Sequence, residues 1–168
     1  IRPLEKMGCK FVCDNEDKLP ITVIGARSKG FTMPIKHKTT VPSAQVKSAI
    51  LLAALTARGV TTVIEPIKSR DYTEKMLLAR GIKLNSKQNS FKKNVIRVSG
   101  SSYLKSIDEN IPGDPSSAAF IAVLCLITKG SKITIEKVLN DKIRLKIFEV
   151  LKKMGGKIDY INKNKDTC

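Results

Sequence analysis

A chain of 168 residues with 42% hydrophobic content has enough apolar mass for one ordinary domain or two small ones. Its 31 lysines and arginines outnumber 15 acids for a formal charge of +16, a balance that concentrates anionic partners, whether nucleic acid or a phosphorylated metabolite. No apolar run reaches the roughly 18 residues of a membrane-crossing helix, and neither the single histidine nor the four cysteines form a metal-ligand or redox spacing.

Leu4-Glu5-Lys6-Met7-Gly8-Cys9-Lys10-Phe11 reads as the end of a helix, a glycine stop and a short strand. The same phrase returns over 76–84 and 151–158, so that glycines 8, 81 and 155 recur at about 73 residues, too long a period for the common solenoids. Gly25-Ala26-Arg27-Ser28-Lys29-Gly30 lacks the spacing of a dinucleotide-binding fingerprint and reads as a loop. His37, between Lys36 and Lys38, reads as a surface loop residue.

A long helix is predicted over 43–57, ended near Gly59. Ser43 either caps it or gives its hydroxyl to a ligand, with Gln45 supplying an amide beside it. The unpaired N–H groups and partial positive charge of such a start favour a bound anion. From 49 to 55 the helix is apolar nearly all round, which predicts burial between sheets. A strand over 61–65 follows, then a helix over 71–80 whose Asp71 and Glu74 form a capping-box pair, then strands after Gly81. Lys83, Lys87, Lys92, Lys93, Arg97 and Lys105 make an acid-free stretch. It reads first as a solvated lysine-rich surface, next as a field that steers anionic metabolites, and last as a nucleic-acid contact.

Asp114 followed by Pro115 opens a second apolar helix over 115–128, as a cap with proline at the first helical position. A strand over 132–136, a helix over 141–154 and a strand after Gly155 complete a second copy of the helix-strand-helix-strand unit. Cys125 lies within an apolar helix, where a free thiol acts as a small hydrophobe. Cys9, Cys13 and Cys168 likewise read as reduced thiols, which suits the cytoplasm. Helices alternating with short strands imply an α/β fold with helices packed against sheets.

Three stretches carry a resemblance. They are Val41-Pro42-Ser43-Ala44-Gln45-Val46-Lys47-Ser48-Ala49, then Glu65-Pro66-Ile67-Lys68-Ser69-Arg70-Asp71-Tyr72-Thr73-Glu74, then Pro112-Gly113-Asp114-Pro115-Ser116-Ser117-Ala118-Ala119-Phe120. In order and spacing they are similar to motifs of the 5-enolpyruvylshikimate-3-phosphate (EPSP) synthase family. Its first two patterns run near Pro-x-Ala-Ser-Ala-Gln-Val-Lys-Ser-Ala and Ser-Arg-Asp-His-Thr-Glu. Lys18-Leu19-Pro20-Ile21-Thr22-Val23-Ile24-Gly25 adds a weaker match. Tyr72 stands where the family has His, and Pro115 where it more often has Ile or Ala.

The resemblance implies an enolpyruvyl transferase-like, inside-out α/β fold of repeated β-α-β-α-β-β subdomains, present here in part. Residues 1–30 would end one subdomain, 31–111 would form a complete one of the same globular domain, and 112–168 would begin a subdomain of a second globular domain. It also implies 3-phosphoshikimate 1-carboxyvinyltransferase chemistry, in which the enolpyruvyl group of phosphoenolpyruvate moves to the 5-hydroxyl of shikimate-3-phosphate and phosphate leaves. Ser43 and Ala44 resemble positions that hold the shikimate phosphate through hydroxyl and backbone N–H, and Gln45 resembles a glutamine that touches both substrates. Arg70 resembles an arginine that packs along the shikimate ring and its phosphate side, with Ser69 adding a hydroxyl contact. Lys47 is open between ligand contact and pairing with an acidic neighbour, and Asp114 between a site group and a helix cap.

The main catalytic groups lie outside the matched stretches, so the isolated chain is expected to show no turnover. Neither metal nor organic cofactor, neither nucleic acid nor membrane is implied, and a monomeric cytoplasmic protein is expected. The rivals are the sister enzyme acting on UDP-N-acetylglucosamine, a basic nucleic-acid-binding domain, and a noncatalytic α/β scaffold. The first shares the fold but is disfavoured by the Ser-Ala-Gln and Ser-Arg-Asp stretches.

Overall fold

Helix α1 (Arg2–Lys6) starts with Pro3 in its first turn and ends at Gly8, whose φ of +98° lies in the left-handed region. A two-stranded antiparallel hairpin follows, β1 (Lys10–Asp14) paired with β2 (Lys18–Ile24). The structure is a computed structural model that describes residues 1–14, 18–26, 30–89, 91–100, 103–161, 164, 167 and 168. Arg27, Ser28 and Lys29 of the loop expected over 25–30 lie outside the described residues.

The next six elements run β3 (Lys36–Lys38), α2 (Ala44–Ala54), β4 (Val60–Glu65), α3 (Tyr72–Ala79), β5 (Leu84–Gln88) and β6 (Asn94–Ser99). That order is β-α-β-α-β-β, the order that the resemblance implies for a subdomain. The four strands form one sheet in the order β3-β4-β6-β5, with β3 and β4 parallel and the other pairs antiparallel. Only the parallel pair needs a crossover, and α2 supplies it. His37 is therefore on a strand and half-buried, not on a surface loop. The Thr62 N–H donates to the Ile35 carbonyl at 2.8 Å and the Thr39 N–H to the Ile64 carbonyl at 3.0 Å, which draws 36–38 into the sheet beside β4.

His37 is the chain's one histidine. Burial, with nearby Lys6, holds its pKa below the ordinary imidazole value. A depressed histidine pKa favours the neutral ring in the folded state, so the unfolded chain takes up the proton first. The contribution to stability is complete above about pH 6.5 and is lost as pH falls from there through the folded-state pKa. His37→Gln should flatten the dependence of the urea midpoint on pH between about 7 and 5. An unchanged slope would show that the imidazole is not the group responsible.

Helix α2 buries Lys47, Ile50, Leu51 and Ala54, an i, i+3, i+4, i+7 stripe. Ile50 and Leu51 are fully buried, each worth about 1.5–3 kcal/mol of transfer free energy. The stripe packs on β4 and β6, with α1 alongside. Met7, Val63, Leu77, Ile82, Ile96 and Val98 complete this core. The expectation that α2 is enclosed on all sides does not hold: Gln45, Val46, Ala49 and Leu52 are exposed, because the residues 1–107 supply a sheet to one face of the helix only. Near its end the sheet comes so close that a Cβ on Gly100 would collide with the Ala57 carbonyl oxygen.

The chain divides into two units, Ile1–Ile107 and Asp108–Cys168. The second contains α4 (Pro115–Ile127) and α5 (Lys146–Lys153), with Ala118, Ala122, Val138, Leu145 and Phe148 as its core. Asp114 caps α4 as expected, accepting from the Ser116 and Ser117 N–H groups. Among the described residues, the strands expected over 132–136 and after Gly155 do not form. A strand needs a partner for its N–H and C=O groups. In this unit the described residues make only single bridges, Gly113 with Val138 and Leu139 with Thr167. Helix α5 also starts later than expected. The Asp141 carboxylate accepts from the Ile143 and Arg144 N–H groups at 2.8 and 3.0 Å and holds a turn there first. The four cysteines are free and half-buried, and no helix among the described residues is long and apolar enough to cross a membrane.

Candidate functional site

The start of α2 is built around Ser43. Its extended backbone ends the preceding loop, and its Oγ accepts from the Val46 N–H at 3.3 Å. An accepting hydroxyl keeps its own proton, so capping the helix and donating to a ligand are compatible roles for Ser43. The Lys47 N–H turns back to the Ser43 carbonyl at 3.1 Å. Among the described residues nothing accepts from the Ala44 or Gln45 N–H groups. The first turn of α2 has no acidic residue to neutralise the positive end of the helix. The start of α4 differs. There the Asp114 carboxylate takes the free N–H groups and pairs with Arg144, so the place of an anion is filled by the chain itself. The Asp114 pKa is lowered: burial works upward, but the N–H groups of Ser116 and Ser117, the Ser117 hydroxyl and the Arg144 charge outweigh it.

The loop after β4 is brought to α2 by a buried polar network. Lys47 is completely buried. Its Nζ lies 3.3 Å from Glu65 Oε2 at the end of β4, 2.7 Å from Glu74 Oε1 on α3, and donates to the Arg70 carbonyl at 2.9 Å. Glu65 also accepts from Asn94 Nδ2 at 2.8 Å and from the Ser69 hydroxyl. One ammonium thus links the helix, the strand, the second helix and the loop. The approach to Glu74 is short but poorly angled, and neither Glu74 oxygen accepts a well-directed hydrogen bond. Ser48 and Thr73 hydroxyls, 2.6 Å apart, join α2 and α3 a little further along.

The expected capping box on α3 is absent for the same reason. Asp71 makes no cap hydrogen bond. Its carboxylate instead pairs with Lys68 at 2.9 Å and Lys75 at 3.0 Å. Burial alone would raise its pKa, and the hydrogen bonds and charges of those two lysines lower it further than burial raises it. Glu74, the other half of the expected box, points into the core toward Lys47.

Of the residues singled out from sequence, Ser43, Ala44 and Gln45 share the first turn of α2, and Ser69 and Arg70 follow β4 on the loop tied to it. The Arg70 side chain is exposed and pairs with no described residue. Gln45, also exposed, borders an apolar cavity of about 270 Å³ with Ile1, Pro3, Leu4 and Ile50. Ser69 is the one whose expected role meets an obstacle, since its only hydroxyl proton is given to Glu65. To donate to a ligand it must release that carboxylate.

Pairing of Lys47 with an acidic neighbour is one of its two expected roles; that the neighbours are Glu65 and Glu74, with Asn94 beside them, is not read from the sequence. A signal existed: Thr61, Val63 and Glu65 alternate onto the buried face of β4, and Lys47 lies on the apolar stripe of α2. Among the described residues no group of three His, Cys, Asp or Glu could hold a metal ion.

A family profile described as EPSP synthase (3-phosphoshikimate 1-carboxyvinyltransferase) matches residues 1–167. The chain belongs to the EPSP synthase family. It is 44% identical to a 3-phosphoshikimate 1-carboxyvinyltransferase of Bartonella quintana (strain Toulouse), over 98% of this chain and 37% of that protein. It is also 44% identical to the one of Novosphingobium aromaticivorans, over 97% of this chain and 36% of the relative. The solved EPSP synthase of Acinetobacter baumannii superposes with a TM-score of 0.64 at 37% identity, covering 92% of this chain and 33% of that one. The chain thus spans little more than a third of the length of these EPSP synthase relatives.

Proposed function

We propose that this chain forms part of the shikimate-3-phosphate wall of an enzyme that transfers the enolpyruvyl group of phosphoenolpyruvate to the 5-hydroxyl of that substrate. The single observation behind this reading is the start of α2. There two N–H groups with no acceptor among the described residues, the Ser43 hydroxyl proton and an uncompensated helix end come with a loop, tied to α2 through Lys47, whose arginine side chain pairs with no described residue. Such a place is suited to a phosphate monoester on a small polar ring. Ser43 would donate its hydroxyl and Ala44 its N–H to the phosphate, and Gln45 would offer its amide to both substrates. Arg70 would lie along the ring and its phosphate side, with Ser69 contributing once freed from Glu65.

In the reaction the 5-hydroxyl oxygen, giving its proton to a base, adds to C2 of phosphoenolpyruvate, the carbon that bears the phosphate ester, as the methylene carbon takes a proton. Loss of that proton with the phosphate then restores the double bond. Donors fixed around both anions favour this step, and an acid–base pair moves the protons. We place that pair on segments of the family's longer chain, so the 168 residues alone should release no phosphate from the two substrates. In the same reading, 1–30 end one subdomain, 31–111 form a complete one and 112–168 open the second globular domain of a cytoplasmic monomer that works without metal or organic cofactor.

The reading is tested by amide NMR of the chain titrated with shikimate-3-phosphate, UDP-N-acetylglucosamine or duplex DNA. Shifts confined to 43–47 and 69–70, seen with the first ligand alone, are expected. Equal responses to UDP-N-acetylglucosamine would favour the sister enzyme. A salt-dependent response to DNA spread over the lysine-rich stretch would favour the nucleic-acid reading.

A further inference from the structure

We infer that Lys47 is a positioning residue of the anion site, acting through the Arg70 backbone and not through a ligand. This rests on the reading of the site given above. Three observations assign the role. The ammonium is completely buried, so a ligand resting on the exposed first turn of α2 does not reach it. Its directed hydrogen bond to an uncharged group is to the Arg70 carbonyl, the backbone of the residue whose guanidinium pairs with no described residue. Its remaining partners, Glu65 and Glu74, stand on two different elements of the core, so the ammonium is itself fixed in place. Glu65 holds Ser69 as well. Residues 69 and 70 are thus each tied by one hydrogen bond to a charge that the core immobilises. The backbone of the loop is held to α2 before any anion arrives, which lowers the ordering cost of binding.

A lysine that only stabilised the fold would have a different signature. Removing it would leave two carboxylates buried together, and removing their excess charge would restore function along with stability. The test therefore compares Lys47→Met with Lys47→Met/Glu74→Gln in the full 168-residue chain, with shikimate-3-phosphate as the probe and amide NMR and thermal melting as readouts. Lys47→Met is expected to lower the melting temperature. The double variant, freed of one orphaned carboxylate, should recover much of that loss. In both, the amide signals of Ser69 and Arg70 should broaden or move while those of β4 and β6 away from Glu65 and Asn94 stay in place. Affinity should fall about 10-fold in the double variant despite its recovered stability, as expected for losing a pre-set contact.

If the double variant regains both stability and wild-type affinity, the positioning role is overturned. Undisturbed Ser69 and Arg70 signals in the double variant would overturn it equally. The signals of 69 and 70 are read without ligand. A wild-type chain that fails to bind shikimate-3-phosphate would therefore refute the assigned ligand, while the loop measurement would still decide the role of Lys47. If Lys47→Met does not fold, the double variant alone carries both readouts.

Discussion

Glu65→Ala is expected to cost the first unit about 3–5 kcal/mol, the range for breaking a buried ion pair by deleting one partner. The carboxylate is fully buried and serves three donors: Lys47, Asn94 and Ser69. Its loss leaves Asn94 Nδ2 without its acceptor, and leaves Lys47 with a poorly angled carboxylate and one carbonyl. Unpaired polar groups in a low-dielectric core carry most of the penalty. Set against the roughly 5–15 kcal/mol that holds a typical domain together, this should bring unfolding close to ambient conditions. Glu74→Gln should be much milder, because one ammonium faces two carboxylates and Glu74 accepts no well-directed hydrogen bond. Urea unfolding followed by circular dichroism separates the cases. A Glu65→Ala midpoint equal to that of Glu74→Gln would show that the network does not organise the core.

Arg70→Ala should weaken binding of shikimate-3-phosphate about 10–100-fold, the scale of a lost charge-assisted contact. The substitution is clean for a structural reason. The core uses the Arg70 carbonyl, which alanine retains, and no described residue uses the guanidinium. Melting temperature should therefore stay near that of the parent chain while affinity drops. Arg70→Lys should fall between, keeping the charge but losing the planar fork. Calorimetric titration of the three proteins gives the comparison. Equal affinities would remove Arg70 from the site.

Helix ends and stops were legible in the chain because they are local. Ser43 and Asp114 cap with their own side chains, and Gly8, Gly81 and Gly155 take positive φ where each helix must turn off. The stretch 132–136 has as good a strand pattern as 61–65, yet only the latter is a strand. The difference lies outside both segments: β4 is flanked by β3 and β6, while 132–136 has no ladder neighbour among the described residues. The capping box failed in the same way. Its spacing was correct, but Asp71 had lysines on either side and Glu74 had a buried ammonium to answer.

Residue order alone determined the family and the order of elements from α2 to β6, and it pointed to the candidate residues Ser43 to Gln45, Ser69 and Arg70, since each is written in a short contiguous motif with its own local geometry. Folding in three dimensions determined that Lys47 is a tether, that Ser69 spends its proton on Glu65, and that the start of α2 is open while that of α4 is filled. Lys47 meets Glu65 18 positions away and Asp114 meets Arg144 30 away, and Glu65, only four residues before Ser69, is itself held by Asn94 29 positions on, so a charge or a hydroxyl takes its meaning from whichever group the chain folds against it.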